Sequence, residues 1–442
     1  MGRQGRLSAH VDPEARSARR SPRPALSAHP TLNGPPMTSS SGQTPMSFAL
    51  TLLLAVSAGA IVANLYYAQP LDGRIGTALH LPGWAVGLVM TLMQIGYGLG
   101  LVFVVPLGDL IENRRLIVAT LIFNALALLG LSFTSSVAAF FAFAFLVGIT
   151  TTSVQIIIPL SAHLAPERQR GAVVGNVMSG LLMGIMLSRP VASFLAHYGG
   201  WRTVFTVSGV AMIALAAVLA FTLPNFPGQA GLTYRKILSS LGPLLARTPE
   251  LRRRGIYQAA LFGAFSLFWT AVPLLLSGPA FGLTQRGIGL FALAGAAGAF
   301  VAPIAGRLGD RGHIRIGTGA AMLTVLAAFG IVAIGGNTHA VPVLIVGAVL
   351  LDAGVALNLI LSQRVIYGLA ADVRARLNGL FIAMFFVGGA LGSALASFAY
   401  AFGGWSATCL TGAGFALFAL CAFATEFTSL HRLVWVKPSV SR

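Results

Sequence analysis

Charge is what this sequence lacks. Only 9% of its 442 residues are Asp, Glu, Lys or Arg, against roughly 25% in soluble domains. Hydrophobic residues make up 56% and mean hydropathy is +0.82. That balance excludes a water-soluble globular fold and reads as an integral membrane protein. Lysine is nearly missing. The two present, Lys236 and Lys437, do not belong to a G-x-x-x-x-G-K-[ST] phosphate loop, which excludes an ATP-driven pump of that kind. There is no H-E-x-x-H and no close His pair, so a metalloenzyme is excluded too, and no metal, cofactor or enzymatic role is expected. Cysteine occurs twice, at 409 and 421, in one apolar run. A helix would hold the two about 18 Å apart, so they do not bridge and say nothing of redox compartment. The net charge of +18 suggests nucleic acid at first sight, but 27 of the 29 cations are Arg scattered in turns between apolar runs. That is a topology signal rather than a basic groove, and no nucleic-acid partner is expected.

What the chain does have is a long-period repeat. PLGDLIENRR, Pro106–Arg115, is a short charged turn between the apolar runs Trp84–Val105 and Leu116–Phe133. The setting returns at GRLGDRGHIR, Gly306–Arg315, with Gly-Asp displaced by 201 positions. A second echo, VASFLAHYGGWR (Val191–Arg202) and LASFAYAFGGWS (Leu395–Ser406), has an offset of 204. Basic turns precede each copy, ERQRG at 167–171 and DVRARLNG at 372–379. A repeat of this length means one bundle built twice.

The apolar runs predict helices over 48–68, 84–106, 116–133, 139–160, 172–196 and 201–223. The same reading continues over 255–276, 287–308, 316–334, 341–366, 377–402 and 405–428. Each is long enough to cross a ~30 Å hydrocarbon core. The expected organisation is a tail (1–46), a first six-helix bundle (47–223), a linker (224–254), a second bundle (255–430) and a short tail (431–442). Residues 1–45, Arg-rich among Ser, Pro and Gly with no apolar period, read as disordered, or as an artefact of a start at Met37 or Met46. They are not a cleaved signal peptide, because the run that follows is too long. Near the helix ends, 19 Arg and Lys fall on the side of the termini and 3 on the other. The termini and linker are therefore expected on the cytoplasmic side of a cell inner membrane. The linker carries Tyr234-Arg235-Lys236 and Arg252-Arg253-Arg254, and is expected to form a short amphipathic helix on the anionic inner leaflet.

Twelve helices in two repeats, with charged turns after the second and eighth, resemble the major facilitator superfamily. The turn of that family, G-x-L-[AG]-D-[RK]-x-G-[RK]-[RK], is matched at Gly306, Leu308, Gly309, Asp310, Arg311 and Gly312. The first copy keeps Asp109, Arg114 and Arg115 but has Val105, Leu110 and Glu112 at the other places. ANLYYAQPLD (Ala63–Asp72) and the run Gly96–Asp109 are similar to the bacterial drug and metabolite efflux branch, whose members are drug:proton antiporters. The resemblance implies an all-α membrane protein of two pseudo-symmetric six-helix bundles, a monomer moving a small molecule together with protons. It also implies that the first, fourth, seventh and tenth helices line a cavity. Tyr67, Gln155, Gln258, Trp269, Asp352 and Asn358 then become candidate liners, each with the alternative of a helix-packing hydrogen bond.

Ionisable residues inside spans are costly and point to function. Asp352 lies about eleven residues into the tenth helix, roughly 17 Å deep, and is expected to carry the coupling proton, with a structural pair as the alternative. Arg189 lies about seven residues from the outer end of the fifth, roughly 10 Å deep, at an interface or snorkelling to headgroups. Gly180, Gly184, Ser188 and Ala192 make a small-residue stripe on the same helix that lets a neighbour approach. With Arg189-Pro190 it resembles part of the antiporter motif G-x-x-x-G-P-x-x-G-G. Asp109, Arg114, Arg115, Asp310 and Arg311 are the candidate cytoplasmic gate, against a bland role as positive-inside anchors. The functional expectation is proton-coupled efflux of a small organic compound by alternating access; the alternative is a facilitative uniporter or a non-transporting sensor on the same scaffold.

Overall fold

The chain is seen as a computed structural model that describes residues 46–434, except 226–232, 296, 298–300, 302–304, 306, 309–310 and 370–372. The side chains of 375 and 427–434 are likewise outside the description. The expectations for residues 1–45, for Gly306, Gly309 and Asp310, and for the tail from 435 onward therefore lie outside the described residues.

The described residues are helical and contain no strand. In chain order the helices are α1 (Phe48–Ala63), α2 (Asp72–Ala78), α3 (Leu88–Phe103), α4 (Asn113–Phe133), α5 (Val137–Thr151), α6 (Val154–Leu164) and α7 (Arg170–Thr222). After these come α8 (Tyr234–Arg247), α9 (Pro249–Ser277), α10 (Gln285–Gly295), α11 (Ile314–Asn337), α12 (Val341–Tyr367) and α13 (Arg374–Val434). Among the described residues, eight stretches are long and apolar enough to cross a membrane. Two of these, α7 and the run inside α13, each hold two spans folded back at a glycine. With the shorter apolar helix α1, and α10 beginning the eighth span, the pattern is the twelve passes of two repeated six-helix bundles.

The two folding points explain the clearer sequence echo. Gly200 has φ 80° and Gly404 φ 62°, a left-handed conformation that a side chain disfavours. They occupy the same place in the two copies of GGW, 204 residues apart. The tryptophan that follows packs inward in both. Trp201 meets Phe140 edge to face at 5.7 Å, and Trp405 Nε1 donates to the Val332 carbonyl at 2.9 Å. The repeat is thus a tight inter-helix turn with an aromatic anchor, written twice.

The hydrophobic effect does not drive helices together in lipid, so close approach of small residues does that work. A Cβ on Gly184 would run into the backbone of Gly59, and one on Gly180 into Ala55, so the expected small-residue stripe is what α1 packs against. The second half repeats the arrangement: Gly388 meets Ala259, and Gly392 meets Gly263. Gly59 shifted by 204 is Gly263, while its partner Gly184 corresponds by contact to Gly392, one helical turn further on. Inside the first bundle, Asn64, Asn124, Thr150, Thr151 and Ser208 form a closed polar knot. Asn64 Nδ2 donates to Asn124 Oδ1 at 3.0 Å, Asn124 Nδ2 to Thr150 Oγ1 at 2.8 Å, and Ser208 to Asn64 Oδ1. The large apolar side chains left exposed, such as Phe48, Phe123, Phe221 and Leu410, face outward as a lipid-contacting surface requires.

Most helices differ by a few residues from their sequence boundaries, and two differ for a reason that local bonds show. The first ends at Ala63 rather than 68. The amides of Asn64, Leu65 and Tyr66 bond to the carbonyls three residues back, and Pro70 cannot donate. The fourth is interrupted at 152–153, where Thr152 and Ser153 make the same tight bonds. The linker does contain a helix, α8, tied to the bundle by Tyr234 Oη donating to the Phe103 carbonyl at 2.8 Å.

Candidate functional site

The two halves meet in several side-chain bonds towards the end of the bundle opposite α8, which is called the outer end. Gln285, at the start of α10, donates through Nε2 to the Pro70 carbonyl at 2.7 Å and to Ser193 Oγ at 3.3 Å. Thr91 and Ser393 share a hydroxyl bond at 2.9 Å, and Gln94 donates to Ser266 Oγ at 2.8 Å. Gly87 and Gly289 leave no room for a Cβ against residues of the opposite half. The outer end is closed.

Just beneath that seal lies Arg189, on α7 and only 4% exposed. Its Nε donates to Gln69 Oε1 at 2.8 Å, which fixes the fork against the end of the first span. Its Cζ stands 4.4 Å from the ring centre of Trp269, 5.1 Å from that of Phe265 and 5.4 Å from that of Tyr66. A desolvated guanidinium gains about 2 kcal/mol from one such face. Three rings hold this one, two of them from the second half. Trp269 in turn donates its indole N–H to Asp352 Oδ1 at 2.8 Å. Phe291 packs on the indole at 6.0 Å, and Gly295 leaves no space for a Cβ beside it. Asp352 is half-buried on α12, within electrostatic range of Arg189 but not in ion-pair contact with it. A cation of one half and a carboxylate of the other are thereby linked through a single side chain.

The remaining candidates distribute as follows. Gln258 and Asn358 are fully buried and bond to each other, Asn358 Nδ2 donating to Gln258 Oε1 at 2.7 Å, which ties α9 to α12. Gln155 donates to Tyr97 Oη at 3.0 Å, and Tyr97 packs on Phe386 of the second half at 4.4 Å. Tyr67 is half-buried. In the charged turn, Arg114 and Arg115 both reach Glu112, at 3.5 and 2.7 Å, so the acid that departs from the family pattern takes the two arginines. Asp109 is exposed and interacts electrostatically with Arg376, at the start of α13, and with His163. Arg311 is exposed, and Asp310 lies outside the described residues.

Sequence reading missed Gln69, Tyr66 and Phe265 as the cage of Arg189, and Gln285 as the outer tie. It also missed a cluster at the α8 end in which Glu426 accepts from Tyr257 Oη at 2.9 Å and pairs with Arg315 at 3.4 Å. Polar residues at span ends were the available signal, but the contacts that join these residues span 76 to 215 positions in sequence. Among the described residues no group of His, Cys, Asp and Glu could hold a metal ion.

Comparison with known proteins agrees with this architecture. Residues 46–341 match the family model described as Major Facilitator Superfamily. An uncharacterized transporter of Escherichia coli, YgaY, is 40% identical over 372 residues, 84% of this chain and 94% of that one. A probable transporter of Streptomyces coelicolor, SCO4007, is 31% identical over 374 residues, 84% of this chain and 86% of its own. Among solved structures, the nucleoside transporter NupG has a TM-score of 0.68 at 15% identity, over 85% of this chain and 99% of that one. A bacterial homolog to human lysosomal transporter Spinster, in an inward-facing and occupied conformation, has a TM-score of 0.67 at 15% identity, over 89% and 98%. At that identity the two structures speak for the fold.

Proposed function

The chain belongs to the Major Facilitator Superfamily, and we propose that it is a proton-coupled secondary transporter of the cell inner membrane that exports a small organic compound. The two six-helix halves rock about the centre, so that the site opens alternately to either side. Both termini lie on the cytoplasmic side. Asp352 carries the exchanged proton. Arg189 is the fixed countercharge, and the indole of Trp269 reports the state of one to the other. The single observation that supports this reading is the chain Arg189–Trp269–Asp352, which spans both halves beneath a closed outer end. A carboxylate held by a neutral N–H donor, rather than locked against the nearby cation, is free to trade its proton for a substrate group. When Asp352 loses its proton, the attraction to Arg189 strengthens across the interface, which couples protonation to how tightly the halves hold together. Asp109, Arg114, Arg115, Asp310 and Arg311 shape the cytoplasmic gate, with Arg376 facing Asp109 across the halves. Tyr67, Gln155, Gln258 and Asn358 frame the path for substrate.

The test is transport by purified protein in vesicles, screened against small organic compounds, ethidium among them, with and without an imposed pH gradient. Accumulation against a concentration gradient, paid back by proton flow in the opposite sense, is the expected result. Saturable flow that ignores the pH gradient would mark a uniporter, and binding without movement a sensor.

A further inference from the structure

A second carboxylate is buried at the junction of the halves. Asp72 opens α2 in the connector 69–82, between the first two spans, and has no exposed surface. Neither of its oxygens has a hydrogen-bond partner. An unpartnered buried carboxylate is among the most expensive groups a fold can hold in its charged form. It is tolerated when neutral, and burial accordingly pushes this carboxyl well above the ordinary range.

The surroundings show why no cation relieves it. On α2 itself, Arg74 is turned away, its Nη1 donating to the Ala196 carbonyl at 2.9 Å, and just beyond α2 His80 is exposed. On α7, Arg189 is committed to Gln69 and His197 is exposed. The outer part of α9, from Trp269 to Ser277, has no ionisable residue, and on α10 Arg286 is exposed. The segment bearing Asp72 is the part of the first half that the second half clamps. Gln285 holds Pro70, a Cβ on Gly73 would come within 3.3 Å of Leu274 Cδ2, and 69–71 pack on α9 and α10.

We propose that Asp72 is a proton-binding latch of the outer gate, buried when the connector closes on α9 and α10 and wetted from the outside when they part. This rests on the alternating-access reading above and adds to it a second proton site, separate from Asp352. The sign follows from the two environments. Open and wetted, the carboxyl titrates at its ordinary value, near ~4. Closed, it titrates higher, so the closed state binds more protons. Closure is fully favoured below the ordinary value. It then weakens by up to about tenfold per pH unit as pH rises towards the raised value, and levels off above it. An acidic exterior would therefore shut the outer gate behind an incoming proton.

Double electron–electron resonance on the full chain in nanodiscs tests this. Spin labels go on Tyr198→Cys and Phe402→Cys, exposed outer-end positions of the two halves, with Cys409→Ser and Cys421→Ser removing native thiols. The parent should show a long, outer-open distance whose fraction grows as pH is raised. Asp72→Asn should keep the short distance at every pH, while Asp352→Asn should keep the rise. A rise that persists in Asp72→Asn, or disappears only in Asp352→Asn, overturns the latch and leaves proton-coupled transport standing. Should Asp72→Asn not assemble, Asp72→Glu must retain the rise and Asp72→Leu must lose it; a rise in Asp72→Leu overturns the proposal. The latch with no gradient-driven transport in vesicles would instead refute the coupling reading alone.

Discussion

Arg189 and Asp352, from opposite halves of the molecule, meet on one indole: the guanidinium stands 4.4 Å over the face of Trp269, and the carboxylate accepts from its N–H at 2.8 Å. The relay makes Trp269 a residue whose two chemical features can be removed separately. Trp269→Phe keeps an aromatic face for Arg189 and deletes the donor to Asp352. A hydrogen bond to a charged group contributes about 1.5–3 kcal/mol, so gradient-driven transport should fall roughly ten- to hundredfold. Counterflow exchange of substrate should fall much less. Equal loss in both assays would show that Trp269 serves only packing.

Arg189→Ala should reduce transport strongly while the protein still inserts, because the outer cage loses its centre. Arg189→Lys should recover only part of it. A compact ammonium lacks the planar fork that bonds Gln69 while lying flat on the rings. Full activity in the Ala variant, measured by vesicle uptake at matched expression, would contradict a role at the interface.

How much of this was legible in the sequence depended on whether the signal was local. The turn at Gly200 and its copy at Gly404 could be read as an echo, because a reverse turn between packed helices needs the same few neighbours each time. Asp352 and Arg189 stood out because charge inside an apolar run is expensive wherever it falls. Their junction through Trp269 did not, since residues 83 and 80 positions apart meet only after the halves have folded. Asp72 enters the sequence only as the end of ANLYYAQPLD with no local mark of burial, and the packing of α9 on the connector is what buries it. The charged turn misled in a different way. Glu112, read as a departure from a glycine, turns out to hold Arg114 and Arg115.

The helix contacts give a stability prediction. Gly388→Val forces a side chain into the Ala259 backbone and should cost about 1–3 kcal/mol or more, seen as a lower unfolding temperature of the purified protein. Gly414→Ala, on the next span beyond the Gly404 turn and with open space around it, should be neutral or stabilising by up to about 1 kcal/mol. Similar losses at both positions would contradict close backbone approach as the basis of the packing.

At the end of the bundle where α8 lies, Asp109→Asn should impair transport, and so should Arg376→Ala, because each removes one side of an interaction between the halves. A reversed pair, Asp109→Arg with Arg376→Asp, should recover activity beyond either single reversal. Independent, additive effects in a double-mutant cycle would leave Asp109 as a membrane anchor without a gating partner.

The coupling role of Asp352 is the centre of the account, and one comparison addresses it directly. Purified Asp352→Asn protein and its parent are reconstituted, and each is assayed for uptake against a concentration gradient under an imposed pH gradient and for counterflow at equal pH. The account predicts that Asp352→Asn loses the uphill movement and keeps the exchange, because the amide stands for a carboxyl that cannot give up its proton. Continued uphill accumulation powered by the pH gradient in Asp352→Asn would contradict it, and would make Asp352 a structural partner of Trp269.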